Sequence, residues 1–94
     1  MGTIKQKRIH NLLRKYRKAS GFKQLEVAKL LGLKSSSRIS RWEKGSCIPN
    51  IINAFKLSIL YRTMVDGLFI DLLRDLREEL KEREKRFLKK EKLY

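Results

Sequence analysis

The stretch from Ser35 to Lys44, SSSRISRWEK, gathers hydroxyl and guanidinium groups at helical spacing. A guanidinium presents its donors in a fixed fork that fits phosphate, or the O6 and N7 edge of guanine. A serine hydroxyl can donate or accept, so it reads base edges with little discrimination. On a helix beginning within the three serines, Ser36, Ser37, Ser40 and Arg41 should share the exposed face, with Ile39 and Trp42 turned inward. Arg41 is the best candidate for telling one base pair from another. Arg38 can reach a base or a phosphate and is assigned to phosphate, as is Lys44. Catalysis finds no comparable set. The chain has one His and one Cys, no cluster with metal-ligand spacing and no Gly-rich phosphate loop. Asp71 and Asp75 lie on one helical face, but an i,i+4 acidic pair is ordinary surface chemistry. The reading is therefore non-enzymatic, with no metal and no cofactor.

Such a helix needs a partner to hold it. Just upstream, Val27, Ala28 and Leu31 form one apolar stripe, which can face Ile39 and Trp42. Ala28 is small where two helices would cross. Gly32 follows the last apolar residue, where a left-handed backbone is cheap only for glycine, and Leu33 then plugs the turn into the core. Two short helices about a Gly-centred turn, the second rich in hydrogen-bonding groups, have the layout of a helix-turn-helix.

Charge agrees with a polyanionic partner. The 94 residues carry 24 Lys and Arg against 10 acids, a formal net charge of +14. The excess is uneven, because residues 1–44 hold 13 basic and 2 acidic residues while residues 45–94 hold 11 and 8. A basic surface on the half with the hydroxyl-rich helix suits duplex nucleic acid. Single-stranded RNA fits less well, since the eight aromatic residues fall mostly on packing faces and leave no stacking platform. A lone Cys47 excludes an intramolecular disulfide framework and fits a reducing cytoplasm. No apolar run suggests a signal peptide or a membrane span.

The remaining elements read as helices. Ile9, Leu12, Leu13 and Tyr16 predict an amphipathic helix over about 4–19, closed by Ser20-Gly21. The second helix starts near Gln24, with Lys23 where a capping oxygen would stabilise by about 1 kcal/mol. A fourth helix over about 50–60 offers Ile51, Ile52, Phe55, Ile59 and Leu60 to the core. Thr63 with Asp66 has the spacing of a capping box. From Val65 the pattern reads as one helix of about 25 residues broken only by Gly67. Along it Phe69, Leu73, Leu76 and Leu80 fall at spacings of four, three and four, Arg83 interrupts, and Phe87 resumes.

The ordered set resembles the phage-repressor and Cro family of XRE-like regulators over roughly residues 11–69. Its marks are Arg17, the Gln24-x-Glu26-Val27-Ala28 opening, Leu31-Gly32, Ile39-Ser40-Arg41-Trp42-Glu43-x-Gly45 and Pro49-Asn50. The resemblance implies an all-α, five-helix domain that binds double-stranded DNA through its helix-turn-helix. It implies that the start of the second helix rests on phosphate, a role carried to Gln24 with Lys23 beside it. It also implies an ion pair between Arg17 and Glu43. One departure stands out. Six residues separate Gly32 from Ile39, one more than the family's usual spacing, which lengthens the turn and puts Ser36 and Ser37 in question.

The expected organisation is a DNA-binding domain over 1–69 and a helical extension over 70–94. The extension carries Phe69, Leu73, Leu76 and Leu80 as an interface. Self-pairing would give a homodimer able to span an inverted repeat. The alternative is an antitoxin-like or adaptor protein whose C-terminal helix holds a protein partner.

Overall fold

The computed structural model describes residues 8–91. It is all-α, with six helices: α1 (Leu13–Ala19), α2 (Gln24–Leu31), α3 (Ser37–Lys44), α4 (Ile51–Tyr61), α5 (Val65–Leu68) and α6 (Ile70–Glu91). The first five enclose one core, in which Leu13, Val27, Ala28, Leu31, Ile39, Trp42, Leu57, Tyr61, Leu68 and Phe69 are buried together. Val27 and Ala28 are fully buried where α2 meets α3. Gly32 closes α2 at φ +83, and Leu33 packs against the core beyond it.

Three expectations are corrected by the structure. The first helix is shorter than its apolar spacing suggests, since residues 8–12 are not helical and residues 1–7 lie outside the described set. Long-range bonds hold this segment open. The Ile9 N–H donates to the Gly45 carbonyl and the Leu12 N–H to the Leu68 carbonyl, both at 2.9 Å. Asn11 organises the start of α1. Its Oδ1 accepts from the Leu13 N–H, while its Nδ2 donates to the Ile9 and Trp42 carbonyls. A short amide that satisfies nearby backbone competes with the helical ladder. Asn11→Ala removes these bonds and should cost about 1–2 kcal/mol, measured as a lower denaturant midpoint with an unchanged slope.

Second, α4 presents the opposite stripe to the core. Ala54, Leu57 and Tyr61 are buried together with Asn53, whereas Ile51, Ile52, Phe55 and Ile59 are 55–76% exposed. Two stripes at helical spacing compete on this helix, and Asn50 caps its start. Its Oδ1 caps the Asn53 N–H at 2.8 Å. Only Leu60 of the five expected core residues packs against the core, and then partly.

Third, the last helix is two. Phe69 leaves helical geometry at φ −128 and ψ 45. The Leu68 carbonyl is taken by Leu12, and Phe69 is buried, so the chain turns before α6 begins. Thr63 does not cap α5, whose N-cap is Met64 without a side-chain bond. Leu72 packs against the core, but from Arg74 to Lys90 every residue of α6 is exposed.

Candidate nucleic-acid interface

Helix α3 has two unlike faces. Ile39 and Trp42 are 1% and 4% exposed and hold the helix on the core. Glu43 is held from the same side. Arg17 of α1 donates to both of its carboxylate oxygens, through Nε to Oε2 and through Nη2 to Oε1 at 3.2 Å. Their side chains are only 10% and 5% exposed. Gln24 at the start of α2 donates from Nε2 to Glu43 Oε1 at 3.0 Å, and Arg17 Nη1 donates to the Phe22 carbonyl at 2.9 Å. One carboxylate thus ties α1, the start of α2 and the end of α3 together. The hydrogen bonds that Arg17 donates to Glu43 raise the Arg17 pKa above its ordinary value against the opposing effect of burial. Tyr61 is likewise raised, chiefly by burial and further by the Glu43 charge.

The other face of α3 is open. Ser37, Arg38, Arg41 and Lys44 are exposed, whereas Ser36 and Ser40 are half-buried on one flank. Ser36 is the N-cap residue but makes no side-chain cap bond. The capping contact comes instead from Ser35, whose Oγ accepts from the Ser37 N–H at 3.3 Å and lies 2.9 Å from the Ser37 hydroxyl. The additional turn residue therefore leaves the first turn with a Ser35–Ser37 pair facing solvent. Lys34, Ser35, Ser37, Arg38 and Arg41 line a cleft of about 360 Å³ together with Gly32 and Leu33. Lys34 was not singled out by sequence reasoning, and Ser35 entered only as one of three serines able to start the helix. Their signal was the position of a lysine and a hydroxyl in the lengthened turn.

Lys23 is exposed beside the start of α2, whose N-cap position it occupies in extended conformation. Its N–H is satisfied by Glu26 Oε1 at 2.8 Å, while its ammonium has no acceptor to return. Gln24 is half-buried with one amide hydrogen committed to Glu43, which leaves one donor on the same nitrogen. At the far end of α3, Arg8 Nη1 donates to the Lys44 carbonyl at 3.2 Å. Lys23, Lys34, Arg38, Arg41 and Lys44 thus put five exposed cations on α3, its turn and the start of α2. The residues named for a C-terminal interface divide. Phe69 is 8% exposed and belongs to the core, Leu73 is half-buried, and Leu76 and Leu80 are 45% and 63% exposed.

A scaffold that buries one face of its second helix and charges the other is that of a helix-turn-helix DNA-binding domain. The Helix-turn-helix family model matches residues 13–66, more than half of the chain. The chain belongs to that family, in its XRE/Cro-type branch, and its domain is a DNA-binding and non-enzymatic one. Nothing among curated proteins or solved structures matches it. Among the described residues, no helix is long and apolar enough to cross a membrane.

Proposed function

We propose that this protein is an intracellular, sequence-specific transcriptional regulator that places α3 in the DNA major groove and acts as a homodimer on an inverted repeat. The observation that carries this reading is the outward face of α3. Ser37, Arg38 and Arg41 are exposed there, while Ile39 and Trp42 are held in the core and Glu43 in its network with Arg17 and Gln24. Arg41 supplies direct readout, and Ser36, Ser37 and Ser40 add hydroxyl contacts along the same groove. Lys23, Gln24, Arg38 and Lys44 bind phosphate, which fixes register and supplies salt-dependent affinity.

The test is selection from a random duplex pool with the intact chain at near-physiological salt. Enrichment of an inverted repeat is the expected result, and retention without enrichment would leave only electrostatic binding. On the selected site, Arg41→Ala should lower affinity by about 1–3 kcal/mol and relax the preference at one base pair of each half-site. Lys23→Ala should instead weaken all sequences alike and reduce the salt slope by about one unit. An Arg41→Ala variant with unchanged preference would take the readout away from this residue.

A second reading is a regulator or antitoxin-like adaptor that also holds a protein partner. It is favoured by the α4 face, where Ile52, Phe55 and Ile59 are exposed beside Met64, which is 72% exposed. An apolar patch on a basic domain is a docking surface in search of cover. A chain that stays monomeric at selection concentrations, with poor enrichment, would move the weight to this reading.

A further inference from the structure

The free length of α6 has a charge pattern that its fold does not use. Its first half, residues 70–80, holds four acids and two bases, and its second half, residues 81–91, holds six bases and three acids. The exposed apolar side chains Leu76, Leu80, Phe87 and Leu88 run along it. Where α6 leaves the domain, Leu73 and Leu76 form one wall of an apolar groove of about 490 Å³, and Ile48 and Ile51 form the other.

We propose that α6 pairs with α6 of a second copy in antiparallel orientation, and that the groove receives Phe87 of that copy. This rests on the reading of the protein as a homodimer and adds its architecture. Spacings of three and four place Leu73, Leu80 and Phe87 at one set of seam positions and Leu76 and Arg83 at the other. In an antiparallel pair one set faces the other. The register centred between Leu80 and Arg83 puts Leu76 opposite Phe87 and Leu80 opposite Arg83, twice each by symmetry. The flanking positions are then fixed, with Arg77 opposite Glu84 and Glu79 opposite Arg86 of the second copy. All four flanking contacts join opposite charges. Arg83, with Lys90 one of two polar seam residues, also pairs with Glu79 of its own chain at 2.9 Å. Lys90 falls opposite Leu73, at the groove that Asp66 also lines.

A parallel pair fails on the same residues. It brings Arg83 against its own copy in the seam and Glu79 against Glu84 at the flank, both like-charge contacts. The antiparallel arrangement also sets a length. At a rise of roughly 1.5 Å per residue, the two Leu73 positions, where α6 leaves its domain, lie about 26 Å apart along the pair.

The test uses the intact chain, without DNA, in a Cys47→Ser background. Arg77→Cys and Glu84→Cys chains, distinguishable by a tag, are mixed in a glutathione redox buffer. The expected product is the mixed disulfide, well above the statistical share, because like positions sit about 10 Å apart along the pair. A statistical mixture would overturn the register. Independently, Glu79→Arg with Glu84→Arg should weaken the dimer at least about tenfold by sedimentation, since four attractive contacts become repulsive. Adding Arg77→Glu and Arg86→Glu should restore it. An unchanged dimer, or a wild-type monomer at about 100 µM, would overturn the proposal. Loss of sequence-specific DNA binding with the dimer intact would strike the proposed function and leave this pairing standing.

Discussion

Glu43→Ala should unfold the protein at a much lower temperature while touching no residue of the outward α3 face. The carboxylate is 5% exposed and receives both Arg17 and Gln24, so its loss strands a guanidinium that is itself 10% exposed. Removing one partner of a buried pair costs about 3–5 kcal/mol, because the survivor keeps its desolvation without its compensation. Arg17 retains only its bond to the Phe22 carbonyl. For a domain of this size each kcal/mol is worth roughly 4–8 °C, so a fall of more than 10 °C is expected. Glu82→Ala is the control, since its pair with Arg86 is 3.9 Å long and mostly exposed, and it should change stability by less than about 0.5 kcal/mol. The double variant Arg17→Met/Glu43→Leu should recover part of the loss, as apolar replacements of buried pairs do. A Glu43→Ala melting temperature within a degree or two of wild type would remove the network from the account. DNA affinity supplies a second readout. Gln24 loses the acceptor that orients it, so phosphate-dependent affinity should fall even where the fold is held by low temperature.

That network and the helices it joins show what local pattern can and cannot convey. Helices α2 and α3 were legible because several independent marks coincide within twenty residues. Val27, Ala28 and Leu31 repeat at helical spacing, Gly32 ends the helix in the left-handed region, and Ile39 and Trp42 resume the stripe. Helix α4 was legible as a helix but not in its orientation. Ile51, Phe55 and Ile59 make as good a stripe as Ala54, Leu57 and Tyr61, and hydrophobicity alone picks the former. What decides is shape and anchoring. Leu57 and Tyr61 join the core formed with α1, α2, α3 and α5, and Ala54 is buried on the same face, while the Asn50 cap marks where the helix begins. The breaks were the least legible, because the partners are distant in sequence. Leu12 meets Leu68 and Ile9 meets Gly45, so no window around residues 8–12 or 69 contains the cause.

The interface divides along the same line. Exposure of Arg38, Arg41 and Lys44 follows from the helical period once Ile39 and Trp42 are inward. The first turn does not follow, because one more residue in the loop shifts which hydroxyl caps and which projects. Ser35 does the capping while Ser36 is drawn half inward, and Lys34 comes to line the cleft. The charge pattern of α6 was readable residue by residue, but its use depends on knowing that the helix stands free from Arg74 onward.

Two glycines with the same backbone geometry should respond very differently to a methyl group. Gly32 and Gly45 close α2 and α3 at φ +83 and φ +80, where any L side chain is strained by about 1–2 kcal/mol. Around Gly32 a Cβ would meet nothing within 4 Å, so Gly32→Ala should cost only that strain. A Cβ on Gly45 would stand 2.4 Å from the Ile9 carbonyl oxygen and 2.8 Å from its nitrogen. Both are backbone atoms, and the same Ile9 nitrogen donates to the Gly45 carbonyl at 2.9 Å. The segment cannot step aside without breaking that bond and disturbing Asn11, which holds the end of α3 through the Trp42 carbonyl. Gly45→Ala should therefore cost at least about 3 kcal/mol, combining strain, a lost hydrogen bond and displaced packing. Denaturant titration of the two variants side by side measures the difference, and equal losses would show that the contact with Ile9 is not what holds the segment. Hydrogen exchange gives the local signature, with the Ile9 and Leu12 amides losing protection in Gly45→Ala but not in Gly32→Ala. The consequence reaches the interface, because Arg8 is anchored on the Lys44 carbonyl beside the same contact. Releasing that segment takes a cation away from the end of α3, so DNA affinity should fall with a smaller salt slope, and base preference should stay as it was.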